Sequence, residues 1–320
     1  MKIAGIGKAV PDKRSENTEL EQRLNLEEGW ILRRTGVRLR PVASPDEATS
    51  DLAVRAANAA IDDARIDRSE IALVLLATST PDYPLPPTAP QVAYRLGLVN
   101  AGALDISGAC SGFLYALALA ESYGRMFNKP ILIIGANVLS RRVNPRDAAT
   151  ISLFADGAGA IILVPGDSIL GIYLGADGEH WDEIVIEVGG SRKPISMESI
   201  TDGQHFMKMR NGPELFRHAV RHMAQAGINA LDAAGLNIED IDLWIPHQAN
   251  SRIIREAGKL LGIAREKTMD ITEFYGNSSS ASIPIAMCIA CENGLLKAGD
   301  TLLLTAVGAG LLTAGVVLRW

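Results

Sequence analysis

Cys110 stands in the segment DISGACSGFLYALALA, where glycine, alanine and serine precede an apolar run with helical spacing. Small residues allow a tight turn that leaves the sulfur uncovered, and a helix that starts there points its free N–H groups back towards it. Those dipoles favour a thiolate over a thiol, which would make Cys110 a nucleophile. A buried structural cysteine is the alternative, and this segment alone favours it. A nucleophile needs a base or an oxyanion partner from elsewhere in the chain.

Cys288 and Cys291 form a CxxC pair in the segment IPIAMCIACENG. Their spacing puts both on one face of a helix, and no second CxxC or histidine-rich segment accompanies them. The pattern therefore favours two packed core thiols over a zinc or redox site. The odd number of cysteines, three in 320 residues, does not form a disulfide framework.

The composition is that of a globular protein that can bury a substantial core, with 320 residues and 48% hydrophobic content. A formal charge of -6 without a basic tract argues against a nucleic-acid partner. The N-terminal MKIAGIGKAV indicates a strand rather than a signal peptide, and no segment has eighteen unbroken apolar residues. We expect a cytoplasmic protein with no membrane partner.

Helical and strand patterns alternate along the chain. The segment TSDLAVRAANAAIDDARI has a helix cap and helical apolar spacing, and the strand-like run IALVLLATS follows it. This alternation predicts an α/β protein. Polar, glycine-rich sequence is concentrated around residues 175–213. We interpret this segment as an excursion from the regular α/β pattern that covers another part of the protein.

An internal repeat divides the chain into halves at residues 1–165 and 166–320. The segment from Asp62, DDARIDRSEIALVLLA, resembles the one that starts 170 residues later, DAAGLNIEDIDLWIPH. At the same offset PILIIGA matches DTLLLTA, and the Cys110 turn matches the turn that contains Asn277. Paired halves usually place a site where corresponding loops meet. We therefore expect Cys110, Asn277 and His247, which follows the strand IDLWIP, to converge.

His247 could instead be a satisfied core or turn histidine, and Asn277 a turn residue that holds its own backbone. Each alternative would be preferred for either residue in isolation. The repeat places both loops beside the Cys110 turn, and this favours a shared site.

Five segments together resemble the thiolase-like superfamily and, within it, the β-ketoacyl-ACP synthase III (FabH) family, over essentially the whole chain. They are WILRRTGVRLR, DISGACSGFLYAL, FADGAGAIIL, IPHQANSRII and YGNSSSASIP. The resemblance implies a thiolase-like fold in which two pseudo-repeated βαβ-rich halves form a five-layered αβαβα arrangement.

The same resemblance implies the chemistry of a decarboxylating Claisen condensation. Cys110 would take an acyl group from a CoA thioester, and His247 and Asn277 would hydrogen-bond the thioester carbonyl of malonyl-ACP as CO2 leaves. The backbone N–H groups of Cys110 and Ala309 would form the oxyanion hole. No metal or other cofactor is expected, because malonyl carries its own leaving group and a thioester is already electrophilic.

The resemblance further implies that Trp30 and Arg34 bind the nucleotide of CoA, and that Gly212 and Asn250 bind its pantetheine. A partly buried aromatic and a solvated charge are the alternatives for Trp30 and Arg34. Three basic residues at helical spacing after HQAN suit an acidic acyl carrier protein, with a merely solvated face about equally favoured: Arg252, Arg255 and Lys259.

The segments STPDYPLPPTAP and ANVLSRRVNPRD resemble one branch of the family, the BioZ-like synthases, which elongate glutaryl-CoA to 3-oxopimeloyl-ACP for biotin synthesis. In the family these loops border the acyl pocket, one of them from the partner of a homodimer. An arginine there is costly unless a carboxylate pairs with it, which a dicarboxylic primer provides. Arg142 and then Arg146 are the candidates, and solvent exposure or a dimer salt bridge is the alternative for each.

Other functions fit the sequence less well. The main alternative is a fatty-acid-initiating synthase that uses acetyl-CoA or a short branched acyl-CoA. A degradative thiolase would have a second catalytic cysteine near the C-terminus, where AVGAG stands instead. A non-catalytic carrier-binding subunit would be expected to lack the nucleophile, and Cys110 is present.

Overall fold

The computed structural model describes residues 1–320, whose strands form two large mixed sheets and two short ribbons. The strands are β1 Lys2–Ala9, β2 Arg14–Glu16, β3 Leu39–Pro41, β4 Leu73–Ala77, β5 Gly102–Ile106, β6 Ile131–Val138, β7 Asp156–Val164, β8 Ile169–Ala176, β9 Ile184–Val185, β10 Lys208–Met209, β11 Leu243–Pro246, β12 Thr301–Gly308 and β13 Leu312–Arg319.

Eleven α-helices connect the strands. They are α1 Asn17–Arg23, α2 Trp30–Thr35, α3 Thr49–Ala64, α4 Ala89–Arg95, α5 Gly112–Phe127, α6 Ala148–Ile151, α7 Met197–Thr201, α8 Gly212–Ala234, α9 Ser251–Leu261, α10 Thr272–Tyr275 and α11 Ser282–Glu292.

The two large sheets have the same internal pattern. The first has the order β1-β7-β6-β4-β5, with β4 parallel to both β5 and β6, and β7 antiparallel to β6 and β1. The second has the order β11-β12-β13-β8, with β11 parallel to β12 and the other pairs antiparallel. All strands of the first sheet precede residue 165, and all strands of the second follow it.

Corresponding elements recur with the 170-residue offset that the sequence indicates. β4 and β11 begin at Leu73 and Leu243, and β6 and β12 begin at Ile131 and Thr301. The 3-10 turns 109–111 and 279–281 also match, and each opens the helix that follows. The two halves are therefore structural repeats.

Five layers result from the way the sheet faces are covered. Alternate residues of β6 point to opposite sides: Ile133 packs in the core around α5 and α11, whereas Leu132 packs against α3. In β12, Leu304 joins the same central core, whereas Leu303 packs with α8 and α9. The order is helix, sheet, helix, sheet, helix, as the resemblance implies.

No helix is long and apolar enough to span a bilayer. Cys288 and Cys291 both lie on α11, the first buried and the second half-buried, and neither forms a disulfide. They are packed thiols, in agreement with the sequence interpretation.

Candidate active site

Cys110 lies in the short turn between β5 and the buried helix α5. The preceding residue, Ala109, has a left-handed backbone with φ 45°, and the pseudo-equivalent Ser279 has φ 57°. Such conformations are uncommon for residues other than glycine, so both turns are sharp and locally strained. The turn directs Cys110 towards a cavity at the junction of the two halves, which the sequence predicts.

Burial raises the pKa of the Cys110 thiol to about 11, although a hydrogen bond from the Ser279 hydroxyl at 3.3 Å and the local backbone N–H act in the opposite direction. The direction of this shift is opposite to the sequence expectation that helix dipoles favour the thiolate. The reason is desolvation, which disfavours the charged form more than the nearby N–H groups stabilise it. Cys110 rests as a thiol.

Cys110, His247 and Asn277 line one cavity of about 160 Å³, which we call the central cavity. His247 follows β11, and Asn277 lies in the turn before α11. Backbone hydrogen bonds fix that turn from both sides, because the Asn277 N–H donates to Leu153 and its carbonyl accepts from Ala155, each at 2.9 Å. The three residues that the repeat predicts to converge are thus brought together.

His247 is buried and neutral, because burial lowers its pKa to about 3. Its Nδ1 lies 2.7 Å from the hydroxyl oxygen of Ser282, and that oxygen also accepts from the Gln248 N–H at 3.2 Å. The Ser282 hydroxyl has a proton to donate to Nδ1, and in that tautomer the ring hydrogen sits on Nε2. In this arrangement His247 offers a hydrogen-bond donor to the cavity. Sequence reasoning missed Ser282, whose only signal is its place in YGNSSSASIP.

Asn277 is oriented in the same manner. Its Oδ1 accepts from the Ser279 N–H at 2.8 Å, and its side-chain nitrogen makes no hydrogen bond within the chain. The amide N–H2 is therefore available as a second donor. Two neutral donors and a thiol can stabilise negative charge that develops on a carbonyl oxygen beside Cys110.

Gly308, at the end of β12, packs directly on the nucleophile turn. A Cβ built at this position would lie 2.9 Å from the backbone nitrogens of both Cys110 and Ser111. Only glycine allows this approach without moving the turn. Sequence reasoning named its neighbour Ala309 and missed Gly308.

A second space, which we call the inner cavity, extends from Cys110 and has a volume of about 230 Å³. Nine of its eleven lining residues are hydrophobic, so it suits an apolar chain. Ala309 lies on its wall, together with Leu139, Phe154 and Ile184. The polar segment 175–213 covers this region, because Ile184 lines both the inner and the central cavities.

Arg142 and Arg146 line neither cavity in the single chain, and neither forms an ion pair within it. Arg142 is half-buried at the edge of the inner cavity, where its carbonyl accepts from the Met207 N–H at 2.7 Å and Met207 lines the wall. Arg146 is exposed. The adjacent Arg141 is occupied, because its guanidinium donates to three backbone carbonyls of residues 44–47.

A third, open cavity of about 570 Å³ is lined by three arginines and is basic. The guanidinium of Arg34 lies over the Trp30 ring at 5.2 Å, and both residues line this outer cavity with Arg252. Arg252 in turn lies 5.2 Å over the ring of Phe216, which lines the central cavity. Arg252 therefore lies between the outer cavity and the central cavity.

Gly212 and Asn250 lie on the wall of the central cavity. Asn250 caps α9 by accepting from the Arg252 N–H at 2.8 Å, which keeps the start of that helix beside the central cavity. Further along α9, Arg255 and Lys259 are exposed and both pair with Glu256 at 3.0 Å. This pairing offsets part of the positive charge that the sequence predicts for the helix face.

Two family models match the chain: 3-oxoacyl-[acyl-carrier-protein] synthase III over residues 104–178, and the C-terminal model of the same synthase over residues 231–320. Two similar curated proteins are each named 3-oxopimeloyl-[acyl-carrier-protein] synthase. The one from Rhodothermus marinus is 54% identical and covers 99% of this chain and 93% of its own length. The one from Brucella abortus is 47% identical, with 99% and 97% covered.

Among solved structures, 3-oxoacyl-(acyl carrier protein) synthase III from Pseudomonas aeruginosa superposes with a TM-score of 0.91 at 35% identity, over 99% of this chain and 97% of that one. The match extends over the whole fold rather than over one half. It confirms the thiolase-like arrangement that the sequence motifs imply.

Proposed function

Because the chain belongs to the 3-oxoacyl-ACP synthase III family of acyl-transferring enzymes, we propose that it condenses glutaryl-CoA with malonyl-ACP to give 3-oxopimeloyl-ACP. The observation that carries the reaction type is the convergence of Cys110, His247 and Asn277 on one cavity. The names of the two relatives at 54% and 47% identity support the choice of substrate. The pathway served would be biotin synthesis in the cytoplasm.

In the first half-reaction the Cys110 sulfur attacks the carbonyl carbon of the acyl-CoA thioester. The thiol proton passes to the departing CoA sulfur, and an acyl-enzyme and free CoA result. The backbone N–H groups of Cys110 and Ala309 would hold the oxyanion of the tetrahedral intermediate. The apolar inner cavity receives the acyl chain, and the Trp30 and Arg34 pair receives the nucleotide.

In the second half-reaction malonyl-ACP occupies the site that CoA has left. The Nε2–H of His247 and the amide of Asn277 donate to its thioester carbonyl as CO2 departs. The resulting carbanion attacks the acyl-enzyme carbonyl, and the Cys110 sulfur leaves and recovers a proton. Because the hydrogen atom on Nε2 serves as a donor throughout, the histidine need not change charge.

These roles are tested by separating the half-reactions. Intact-mass spectrometry should detect an acyl adduct on the wild type and none on Cys110→Ser, because an alcohol there lacks a competent nucleophile. In His247→Ala or Asn277→Ala the adduct should still form, while decarboxylation of malonyl-ACP falls by about a hundredfold or more. An adduct at Cys288, or an equal loss of both half-reactions, would contradict the assignment.

The primer carboxylate would be bound by Arg142, with Arg146 as the second candidate. Arg142 has no ion pair and its backbone is anchored to the wall of the inner cavity, so its guanidinium is free to pair with a ligand. A charge-assisted hydrogen bond of about 1.5–3 kcal/mol corresponds to roughly ten- to hundredfold discrimination. An apolar primer of equal length would leave that arginine unpaired.

The comparison to make is the specificity constant for glutaryl-CoA, valeryl-CoA and acetyl-CoA. We expect the wild type to prefer glutaryl-CoA and Arg142→Ala or Arg146→Ala to lose that preference. Arg125→Ala, which removes an exposed arginine from α5, is the matched control. A preference that survives both substitutions would contradict the arginine assignment.

The second candidate is a fatty-acid-initiating synthase that uses acetyl-CoA or a short branched acyl-CoA. The apolar lining of the inner cavity favours it, because nine of eleven residues there are hydrophobic. A wild type that prefers acetyl-CoA or isobutyryl-CoA to glutaryl-CoA would establish this alternative instead.

Acyl carrier protein is the proposed macromolecular partner, with Arg252, Arg255 and Lys259 as its docking residues. Arg252 is the best supported, because it lines the outer cavity and has no ion pair within the chain. We also propose that the enzyme is a homodimer.

A further inference from the structure

A cluster of imidazole and carboxylate side chains lies away from Cys110, where the connection after β8 meets α8. Asp177, His180 and Glu183 come from that connection, and His218 and His222 lie one turn apart on α8. Three of the chain's five histidines are therefore in one place. The proposed condensation uses none of them.

The side chains of this cluster are already close together. His218 Nδ1 lies 2.6 Å from Glu183 Oε1, and His180 Nδ1 lies 3.6 Å from the same oxygen. The rings of His180 and His218 stack with centroids 4.1 Å apart. One potential ligand atom from each of His180, Glu183 and His218 lies within 4.8 Å of the other two.

Glu183 has an unsatisfied oxygen. Its side chain is only 10% exposed, and its Oε2 is buried without a hydrogen-bond partner. No lysine or arginine pairs with this carboxylate. A buried carboxylate oxygen without a partner is costly, so a cation bound at Glu183 Oε2 would be stabilising.

We propose that His180, Glu183 and His218 bind a divalent transition-metal ion of the zinc class. Two imidazole nitrogens and one carboxylate suit zinc, cobalt or nickel, whereas magnesium and calcium prefer all-oxygen ligands. Tetrahedral bonds of about 2.0–2.1 Å place the ligand atoms roughly 3.3 Å apart, so the His218–Glu183 pair at 2.6 Å would open slightly while the wider pairs close. His180 and Glu183 are close to that spacing, and the partly exposed imidazoles can rotate to complete it.

Asp177 and His222 support the same site from one side. Asp177 Oδ2 lies 3.4 Å from His222 Nε2 and 4.0 Å from His180 Nε2. A carboxylate beside the second nitrogen of a ligating histidine fixes the tautomer and orientation of the ring. A small rotation of His180 would bring its Nε2 within hydrogen-bond distance of Asp177.

The role of the metal would be structural and not catalytic. It would fasten the connection after β8 to α8, and the residue after Glu183 is Ile184, which lines both the central and the inner cavities. Metal binding would therefore stabilise the wall of the acyl site without entering it. The proposal does not depend on which primer the enzyme uses.

Co²⁺ is the probe of choice, because its visible spectrum distinguishes nitrogen and oxygen ligands from cysteine sulfur ligands. The full-length protein is stripped with a chelator and titrated with Co²⁺ while visible absorption is recorded, and Zn²⁺ affinity is measured by calorimetry. We expect one Co²⁺ per chain with the spectrum of nitrogen and oxygen ligands. His218→Ala and Glu183→Gln should each weaken binding of both ions by at least about tenfold.

His205→Ala is the matched control, because His205 lies outside the cluster and its substitution should leave metal affinity unchanged. Glu183→Gln keeps the side-chain volume, and circular dichroism with acyl-enzyme formation at Cys110 verifies that each variant is folded. Absence of stoichiometric binding, equal affinity in both variants and wild type, or an intense sulfur-to-cobalt band would overturn the proposal. None of these results would affect the condensation reaction.

Discussion

Cys110 and His247 are both held in their neutral forms by burial. Desolvation raises the pKa of the thiol to about 11 and lowers that of the imidazole to about 3. The resting site therefore contains no thiolate–imidazolium pair, in contrast to cysteine nucleophiles that an adjacent protonated histidine activates. Proton loss from Cys110 must accompany attack on the acyl donor. His247 therefore stays neutral near physiological pH, because its pKa lies far below that range.

The raised pKa of Cys110 predicts the pH dependence of its alkylation. Because only the thiolate reacts, the rate with iodoacetamide should rise about tenfold per pH unit between pH 7 and pH 9 without reaching a plateau. The rate is measured by mass spectrometry of samples quenched at successive times. The Cys110→Ser variant gives the background from labelling at Cys291. A plateau below pH 8 would mean that helix dipoles outweigh desolvation after all.

Ser282 is predicted to act on decarboxylation through the His247 tautomer. In Ser282→Ala the Nδ1 atom loses its fixed donor, and the proton on Nε2 is no longer enforced. Decarboxylation should fall by about tenfold while acyl-enzyme formation is unchanged, and Ser282→Thr should restore the rate.

The wild-type decarboxylation rate provides the control for this prediction. It should show no acidic limb from His247 between pH 6 and pH 8, because the pKa of this group lies far below that range. A limb in that range that disappears in His247→Gln would contradict the neutral-donor role.

At the level of secondary-structure elements, contacts from both halves hold the two pseudo-equivalent turns in place. Asn137, at the end of β6, donates to the Ser278 carbonyl at 3.1 Å and to the Ser280 hydroxyl at 2.9 Å, and accepts from the Ser79 N–H at 2.8 Å. The Asn277 turn is therefore tied to the first sheet. The end of β12 holds the Cys110 turn from the other side.

Gly308→Ala should displace the nucleophile turn. The added methyl would meet the backbone nitrogens of Cys110 and Ser111 at 2.9 Å, and backbone atoms there cannot move without altering the oxyanion hole. We expect acyl-enzyme formation to slow by tenfold or more, since one misplaced oxyanion donor costs about 10²–10³ in rate. Gly190→Ala, where a Cβ meets open space, is the matched control. Unchanged acylation in Gly308→Ala would contradict this packing role.

At the scale of the whole molecule, one side of the first sheet is left open. β5 is its edge strand, and Leu104 on that strand is 42% exposed. Nearby segments expose further large apolar side chains, among them Leu85 at 83% and Val99 at 86%. An uncovered edge strand next to exposed apolar residues is typical of a subunit interface. A second copy of the chain would cover this side.

Light scattering should therefore give twice the 34.1 kDa of one chain at micromolar concentration. Leu104→Asp should shift the protein to a monomer and lower its turnover, because a charge on the edge strand opposes pairing. Leu295→Asp, which replaces an exposed leucine between α11 and β12, should remain a dimer. A wild type that scatters as one chain would contradict the homodimer.

The fold class, the repeat and the convergence of Cys110, His247 and Asn277 follow from the amino-acid sequence alone. Apolar runs and helix caps are local signals, and a 170-residue offset carried those signals from one half to the other. This was sufficient to place Cys110, His247 and Asn277 together, because equivalent loops of paired halves lie at the same junction. The motif segments indicate the family because they, too, are local signals that can be read along the chain.

The protonation and orientation of these residues depend on the three-dimensional fold. The sign of the Cys110 pKa shift depends on how much water the whole fold removes, which no local segment encodes. The tautomer of His247 depends on Ser282, 35 residues away, and the open position of the Cys110 turn depends on Gly308 from the other half. His180, Glu183 and His218 meet only because a connection folds onto α8. Desolvation and contact are properties of neighbours in space, and the chain order alone does not identify them.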